Sequence, residues 1–231
     1  GVLHLPGPAG VSAHEQGGSE YAENLGIELL TQEMPRGATD LSAEMTRVAE
    51  QGARYVVFQH AAAPVALALR NARELGLDFT FVCLNYCTNE ILVDLAGEYS
   101  EGVIGAVIFS PPDDRVVGFR DAEAFLEARG STLEEEGLLY GQGWWMTGLL
   151  FEGMRRTAAE TGEVTGAGIR AALEQLRDFD TGGVTVPVSF SPTDHRGLKG
   201  MRLFEVRDGR WQPLTDLRFP KNEVPRGPKT D

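Results

Sequence analysis

Strand and helix signals alternate along the first 110 residues, and this alternation constrains the fold more than any other feature of the chain. Short apolar runs are separated by segments with helical periodicity, which end at glycines such as Gly52 and Gly76. Near-continuous apolar strands that alternate with helices predict a parallel sheet covered on both faces. The predicted fold class is therefore α/β with a doubly wound parallel sheet. The predicted strands cover residues 2–5, 27–30, 55–58, 79–84 and 103–109.

Four residues mark the predicted helix starts within this stretch. Ser12 opens the first helix, because Glu15 follows it at the capping-box spacing. Asp40 is the predicted cap of the second helix, and Pro64 lies at the start of the third, where its missing N–H costs nothing. Thr88 is the predicted cap of a short fourth helix. The starts at Ser12, Pro64 and Thr88 each follow a predicted strand.

The sequence after Ser110 has a different organisation. Helices are predicted over residues 121–129, 135–161 and 165–178, with Thr165 as a cap. No strand is predicted between these helices, although their apolar faces need other elements to pack on. Part of the architecture is therefore expected to lie outside this stretch.

The last part of the chain is predicted to return to β-structure. A strand is expected over residues 184–190. Residues 201–206 and 211–214 then flank Asp208-Gly209, a dipeptide that favours a type I′ hairpin turn. The sequence therefore predicts a β-hairpin after the helices.

Charge and composition exclude several kinds of partner. The 231 residues carry a formal net charge of −13, and no basic stripe is available to neutralise phosphates, so no nucleic-acid partner is expected. No apolar run reaches the roughly 18 residues of a membrane span. Cys83 and Cys87 are the only cysteines. Their spacing permits a disulfide, but two buried thiols at a strand end are favoured.

Motifs for catalysis or cofactor binding are missing from the sequence. There is no GxGxxG, P-loop, HExxH or GxSxG pattern, so neither an enzyme nor a cofactor is predicted. A zinc site can be drawn from His60, Cys83 and Cys87, but no fourth ligand is evident and no metal is expected. An enzyme that uses the same edge of an α/β sheet is kept as an alternative.

The carboxyl ends of the predicted strands carry the candidate binding residues. Ligands of open α/β sheets bind outside these ends, which here are residues 6–12, 59–64 and 84–89. The helices that start there offer free N–H groups to a carboxylate or another polar group. The alternative is that these loops only cap helices. The candidate ligand-binding residues are Ala9, Gly10, Ser12, His60, Ala61, Ala62, Asn85 and Tyr86.

Several segments together resemble the substrate-binding proteins of branched-chain amino-acid-type ABC transporters, which have the type I periplasmic-binding fold. The resemblance covers residues 1–216 and includes a glycine- and aspartate-containing run before a strand, a helix ending in "ELGL", an "EGV" strand start and a "DGRW" hairpin. The segments that carry it are GATDLSAEMTRVAEQGARYVVF (37–58), ALALRNARELGL (66–77), LAGEYSEGV (95–103), GEVTGAGIRAALEQLRDFDTGGVTVPVSFSPTDHRG (162–197) and FEVRDGRWQPLTD (204–216).

The resemblance implies two α/β lobes with a ligand held between them, and this sequence would begin at the first strand of the second lobe. The chain would then comprise one full lobe and the helical part of another, without the N-terminal first-lobe segment. We expect the chain alone to bind ligand weakly or not at all. The implied division is a second lobe over residues 1–108, a hinge crossing and first-lobe helices over 109–183, a return with the hairpin over 184–216, and a tail over 217–231.

The ligand contacts implied by the resemblance depart from the pattern of the family. A family tyrosine falls on Ala9, an aromatic contact falls on Ala61 or Ala62, and the acid that holds an amino group falls on Asn85. An amide cannot neutralise an ammonium group as a carboxylate does. We therefore expect a ligand without an essential ammonium group, such as a small carboxylate, an amide or an aromatic acid.

The resemblance also implies a function and partners. The protein would be the solute-binding component of an ABC importer, presenting a small molecule to a membrane permease and catalysing nothing. It would be periplasmic or extracellular after cleavage of a signal, with a lipid anchor in the full-length precursor. The alternative is a sensory ligand-binding domain of a receptor or regulator. For a chain of only 231 residues, a homodimer is the simplest partner for the helices.

Overall fold

The computed structural model describes residues 1–15, 18–112 and 115–216. These residues form two compact units, which we call the sheet unit and the helical unit. The sheet unit comprises Gly1–Val107 with Arg202–Asp216, and the helical unit comprises Ile108–Met201. The assignment of these parts to two lobes stays a prediction, and the predicted tail over 217–231 lies outside the described residues.

The sheet unit contains one mixed sheet. Its strands are β1 Val2–His4, β2 Thr31–Glu33, β3 Tyr55–Gln59, β4 Thr80–Cys83, β5 Ile104–Val107, β6 Arg202–Arg207 and β7 Arg210–Pro213. Their order is β2-β1-β3-β4-β5-β6-β7. The first five strands are parallel, and the β6–β7 hairpin continues the sheet in antiparallel pairing. The predicted doubly wound parallel sheet is thus confirmed.

Helices connect the parallel strands of this sheet. They are α1 Pro8–Glu15, α2 Gly18–Asn24, α3 Ser42–Glu50, α4 Ala62–Glu74 and α5 Glu90–Ala96, the last followed by a 3₁₀ turn at Gly97–Ser100. A buried polar contact ties α4 to the start of α3, because the backbone N–H of Leu41 donates to Asn71 Oδ1 at 2.9 Å. The first turn of α3 is therefore held from a neighbouring helix.

The core of the sheet unit lies between the sheet and these helices. Phe58 and Phe81 are almost completely buried, and their rings stack with centroids 5.9 Å apart. Met45 of α3 and Leu69 of α4 belong to the same buried cluster. Burying a side chain of this size contributes about 1.5–3 kcal/mol, so this cluster accounts for much of the stability of the unit.

Two predicted elements of the sheet unit are displaced. The strand expected over 27–30 is instead Thr31–Glu33, and Ile27 is 55% exposed. The observed strand lies at the edge of the sheet, where polar residues are tolerated. The apolar character of residues 27–30 therefore did not mark the position of the strand. The first helix begins at Pro8 rather than Ser12, because a proline in the first turn is pre-organised for a helix.

Three further helix starts differ by one or two residues. The N-cap of α3 is Leu41, although Asp40 Oδ1 accepts the N–H of Ser42 at 2.8 Å. Helix α4 begins at Ala62, which puts Pro64 in its first turn. Asn89 rather than Thr88 caps α5, and its Oδ1 accepts the N–H of Leu92.

The helical unit contains three α-helices among its described residues: α6 Arg120–Glu127, α7 Leu133–Thr161 and α8 Gly166–Leu173. Thr132 and Glu135 form a capping box at the start of α7, and the predicted cap of α8 is confirmed, because Thr165 Oγ1 accepts the N–H of Gly168. Gly137 interrupts α7 with a φ of 80°, a conformation that favours glycine.

The strand predicted over 184–190 is not formed. In this segment Val188 makes only an isolated bridge to Phe179. Pro187 has no N–H to donate, which prevents a continuous ladder. The hairpin prediction is confirmed, with Asp208 and Gly209 both at positive φ, 54° and 68°.

Candidate functional site

The carboxyl ends of the parallel strands lie at one edge of the sheet. Strands β2 and β3 flank β1 on opposite sides, so the winding direction of the sheet reverses between β1 and β3. Open α/β sheets bind ligands at such a reversal, outside the carboxyl ends of the strands. The segments that follow β1, β2 and β3 are therefore the place to look for a site.

Three of the predicted site residues follow β1 and lie in α1. Ala9 is exposed, Ser12 is half-buried with its Oγ donating to the Ala9 carbonyl at 2.9 Å, and Gly10 is buried. A Cβ on Gly10 would lie 1.7 Å from the Leu5 carbonyl oxygen and 2.9 Å from His4 Nδ1. Gly10 therefore permits α1 to cross closely over the end of β1.

Two buried histidines lie beneath this crossing. His4 Nδ1 lies 2.9 Å from the Leu5 carbonyl oxygen, to which it donates as the N–H tautomer. The ring of His14 is tilted against His4 with centroids 5.0 Å apart. His14 Nδ1 is buried without a hydrogen-bond partner among the described residues. The pair packs α1 onto the end of β1.

The predicted residues His60, Ala61 and Ala62 follow β3. His60 is half-buried, and its Nδ1 accepts the backbone N–H of Ala61 at 2.8 Å, which leaves its proton on Nε2. Burial lowers the pKa of His60, and the nearby charges of Arg36 and His4 lower it further. Ala61 is the N-cap of α4, so no side chain caps the first turn of that helix.

The predicted residues Asn85 and Tyr86 lie in a turn after β4. Asn85 is half-buried and Tyr86 is 62% exposed. The turn is anchored by buried neighbours, since Thr88 Oγ1 donates to the carbonyls at the end of β4 and Asn89 Nδ2 donates to the Tyr86 carbonyl at 3.1 Å. This anchoring holds the backbone of the turn, and Tyr86 extends from it into solvent.

Cys83 and Cys87, near the same turn, are both buried thiols. Burial raises the pKa of the Cys83 thiol well above its ordinary value, and the contact with Cys87 raises it further. Among the described residues no three His, Cys, Asp or Glu side chains are placed to hold a metal ion. The Cys83 thiol is therefore a packing group, because a neutral thiol is a weak nucleophile and a weak ligand.

An open cavity of about 440 Å³ lies at the edge where β1, β2 and β3 end, within the range typical of small-molecule sites. Of the predicted site residues only His60 lines it. Sequence reasoning missed the segment after β2, which contributes Arg36. The lining residues are Leu5, Pro6, Pro35, Arg36, Gly37, Ala38, His60, Ala63, Pro64 and Leu67.

The segment after β2 was missed for an identifiable reason. The strand predicted over 27–30 ends too early to bring Pro35 and Arg36 to the carboxyl edge, whereas the observed β2 ends at Glu33, two residues before Pro35. The general rule about carboxyl ends finds the segment only when this strand is placed at Thr31–Glu33.

The helical unit has a larger open groove of about 720 Å³. Its walls carry both signs of charge, with Arg120 beside Glu123 and Glu127. Glu123 is already engaged, since its Oε2 accepts the N–H of Leu133 at 2.9 Å. The groove is not at the end of a sheet, so it lacks the placement that identifies the cavity of the sheet unit.

No helix in the described part of the chain is long and apolar enough to span a membrane.

Comparison with solved structures supports the fold. A branched-chain amino acid ABC transporter protein from Thermus thermophilus, solved with bound valine, superposes with a TM-score of 0.84 at 26% identity and covers 95% of this chain. A substrate-binding protein from Aeropyrum pernix gives 0.78 at 21% identity, over 96% of the chain. A leucine-binding protein from Thermotoga maritima gives 0.76 at 16% identity, over 95%.

These proteins are longer than this chain, which spans 60% of each of the three. A comparison with curated proteins gave no significant match. The family model described as "periplasmic binding protein" matches residues 2–210, nearly the whole described chain. The fold confirms the resemblance from sequence to the type I periplasmic-binding proteins of branched-chain amino-acid-type transporters. The chain belongs to the periplasmic binding protein family.

Proposed function

We propose that this protein is the solute-binding component of an ABC importer, which captures a small molecule and presents it to a membrane permease. The observation that carries the proposal is the cavity at the reversal point of a sheet that belongs to this family. Family membership implies a location outside the cytoplasm. We propose further that the protein is exported with a cleaved signal and anchored by lipid in its precursor.

The proposed mechanism involves no bond making or breaking. Ligand bound at the carboxyl edge of the sheet unit would also contact a second lobe, and would shift a hinge equilibrium from open to closed. The permease would then recognise the closed form. Because the chain spans only 60% of its solved relatives, the sheet unit would supply one wall of this site.

The ligand that we propose lacks an essential ammonium group. The structures from Thermus thermophilus and Thermotoga maritima are described as holding valine and as binding leucine. In this chain the position expected to hold an amino group is Asn85, a neutral amide in a half-buried turn. Among the described residues that line the cavity there is no carboxylate either. An ammonium group would thus lose its hydration without gaining a counter-charge.

Solute uptake in the source organism tests the importer function. The gene is deleted, and accumulation of labelled amino acids, amides and organic acids is compared with that of the parent and of a strain with the gene restored. We expect loss of uptake of one solute class, restored with the gene. Unchanged uptake of every solute would contradict transport, and a lost transcriptional response with intact uptake would favour the sensory alternative.

A further inference from the structure

The cavity of the sheet unit is mostly apolar, and its lining includes the polar side chains of Arg36 and His60. Leu5, Pro6, Pro35 and Leu67 supply aliphatic walls. The only charged side chain in the lining is Arg36, among the residues that the structure describes. A ligand that fits this lining has an apolar body and one polar end.

Arg36 brings a guanidinium to the mouth of this cavity. Its Nη2 lies 3.5 Å from the Pro6 carbonyl oxygen, a long contact that links the segment after β2 to the segment after β1. In the described part of the chain Arg36 forms no ion pair, and most of its five donors are unused. A guanidinium in this state is suited to a planar carboxylate, which it can bind with two parallel hydrogen bonds.

His60 supplies a second donor to the lining of the same cavity. Its Nδ1 is occupied by the N–H of Ala61, so Nε2 carries the proton and is free to donate. Arg36 and His60 line the same cavity, so a ligand bound there can contact both side chains. Burial lowers the pKa of His60, and the nearby charge of Arg36 lowers it further.

We propose that this cavity binds the carboxylate of a small aliphatic or aromatic monocarboxylic acid, with Arg36 and His60 as donors and the apolar walls around the acid's hydrocarbon body. This inference rests on the proposed solute-binding function and adds the ligand's chemical class and its anchor. An inorganic anion fits less well, because the aliphatic walls offer it no further donors.

Titration of the isotope-labelled protein, followed by NMR, tests this assignment with three compounds that share one hydrocarbon body. They are 4-methylpentanoate, its neutral amide 4-methylpentanamide, and leucine, which adds an α-ammonium group. We expect this chain alone to bind 4-methylpentanoate weakly but measurably, with shifts in the resonances of Gly37, Ala38 and Ala61, and roughly tenfold more tightly than the amide or leucine.

Two substitutions that each remove one positive charge distinguish a specific contact of Arg36 with the carboxylate from a general effect of charge. Arg36→Met should weaken binding of 4-methylpentanoate roughly tenfold while leaving the weak binding of the amide unchanged. Arg47→Met removes the same charge from the same unit, where Arg47 Nη1 contacts Gln32 instead of the cavity, and should leave both affinities unchanged. His60→Leu should give a smaller loss than Arg36→Met, because it removes a neutral donor.

Each other outcome contradicts the assignment. Equal binding of the acid and the amide, tighter binding of leucine, or equal effects of Arg36→Met and Arg47→Met would overturn the carboxylate anchor. Absence of shifts with all three compounds would also overturn it. None of these results would affect the importer function if gene deletion abolishes uptake of some solute, so the two proposals can fail separately.

Discussion

The main buried apolar cluster of the described residues lies in the sheet unit, whereas the longest helix of the helical unit exposes several apolar side chains. The sheet unit has one continuous buried cluster, in which Phe58 and Phe81 are at most 1% exposed. In the helical unit, Leu139, Met146 and Leu150 of α7 are 44–55% exposed. Their spacing of seven and four residues puts them on one face of the helix. Exposed apolar faces of this kind are typical of surfaces that pack against another element.

Both units have buried apolar residues, but they differ in the elements that cover them. In the sheet unit, helices on both faces exclude water from the parallel strands. The helical unit has buried residues of its own, among them Phe119, Leu126 and Leu176, and α7 also carries a capping box and exposed ion pairs. Substitutions of the same type should therefore have unequal effects in the two units.

Matched phenylalanine truncations should give the largest contrast. Phe58→Ala removes a fully buried ring and should lower the free energy of unfolding by about 3–5 kcal/mol. Phe151→Ala removes a ring that is 61% exposed and should change it by less than about 0.5 kcal/mol. Urea unfolding followed by circular dichroism measures both. A large loss from Phe151→Ala would mean that α7 is covered in solution, and light scattering would then show whether by a second copy.

Matched glycine substitutions should give the next largest contrast. Gly10→Ala forces a Cβ against the Leu5 carbonyl and should destabilise the protein by about 1–3 kcal/mol. Gly143→Ala, in a part of α7 with nothing within 4 Å, should stabilise it by about 0.5–1 kcal/mol. Melting temperatures of the two variants check the signs. A destabilising Gly143→Ala would indicate a closely packed neighbour on that face.

Removing two helix caps should give a smaller difference in the loss of stability. Asn89→Ala should cost up to about 2 kcal/mol, because buried Asn89 accepts from Leu92 and also donates to the Tyr86 carbonyl. Thr165→Ala should cost about 0.5–1 kcal/mol, since exposed Thr165 accepts only from Gly168 and water can replace it. Denaturant midpoints give the comparison, and equal losses would contradict the role assigned to burial.

The smallest effect concerns the acid dependence of the helical unit. Hydrogen bonds from Arg155 and Arg156 lower the pKa of Glu152 to about 2. A carboxyl whose pKa is lower in the folded state contributes stability above the unfolded value of 4.5 and loses it as the pH falls towards 2. Because its partners are exposed, the contribution should be below about 1 kcal/mol.

The Glu152→Gln variant should therefore lose less stability than the parent when the pH falls from about 5 to about 2.5. In this range the pH passes below the unfolded pKa of 4.5 and approaches the folded pKa of about 2. Glu160→Gln is the control, since Glu160 lies on the same helix and forms no ion pair among the described residues. The unfolding free energy at each pH is the measurement. If the unfolding free energies of both variants change with pH as that of the parent does, Glu152 does not form these ion pairs in solution.

Most of the sheet could be predicted because its buried strands carry a strong signal. Residues 55–58 and 79–84 are apolar along their length, and the turn dipeptide Asp208-Gly209 specifies its own geometry, so these elements were found correctly. The polar edge strand Thr31–Glu33 and the unpaired segment around Pro187 were missed, because pairing there is decided by neighbours rather than by the local pattern.

The candidate site was predictable only in part. Strand–helix alternation led to the correct edge of the sheet and to His60. Arg36 could not be found because the predicted strand began four residues before the observed β2. With the strand in that position, Arg36 did not follow the end of any strand. Its relation to His60 depends on strand order, and a sequence pattern does not encode which strands are neighbours.

Hydrogen exchange of the protein, with and without a solute whose uptake depends on its gene, tests the central claim most directly. We predict slower exchange at the carboxyl edge of the sheet unit, in the peptides that contain Leu5, Arg36 and His60, with little change in the opposite ends of the same strands. Protection confined to the groove around Arg120 and Glu127, with no change at the carboxyl edge, would contradict the account.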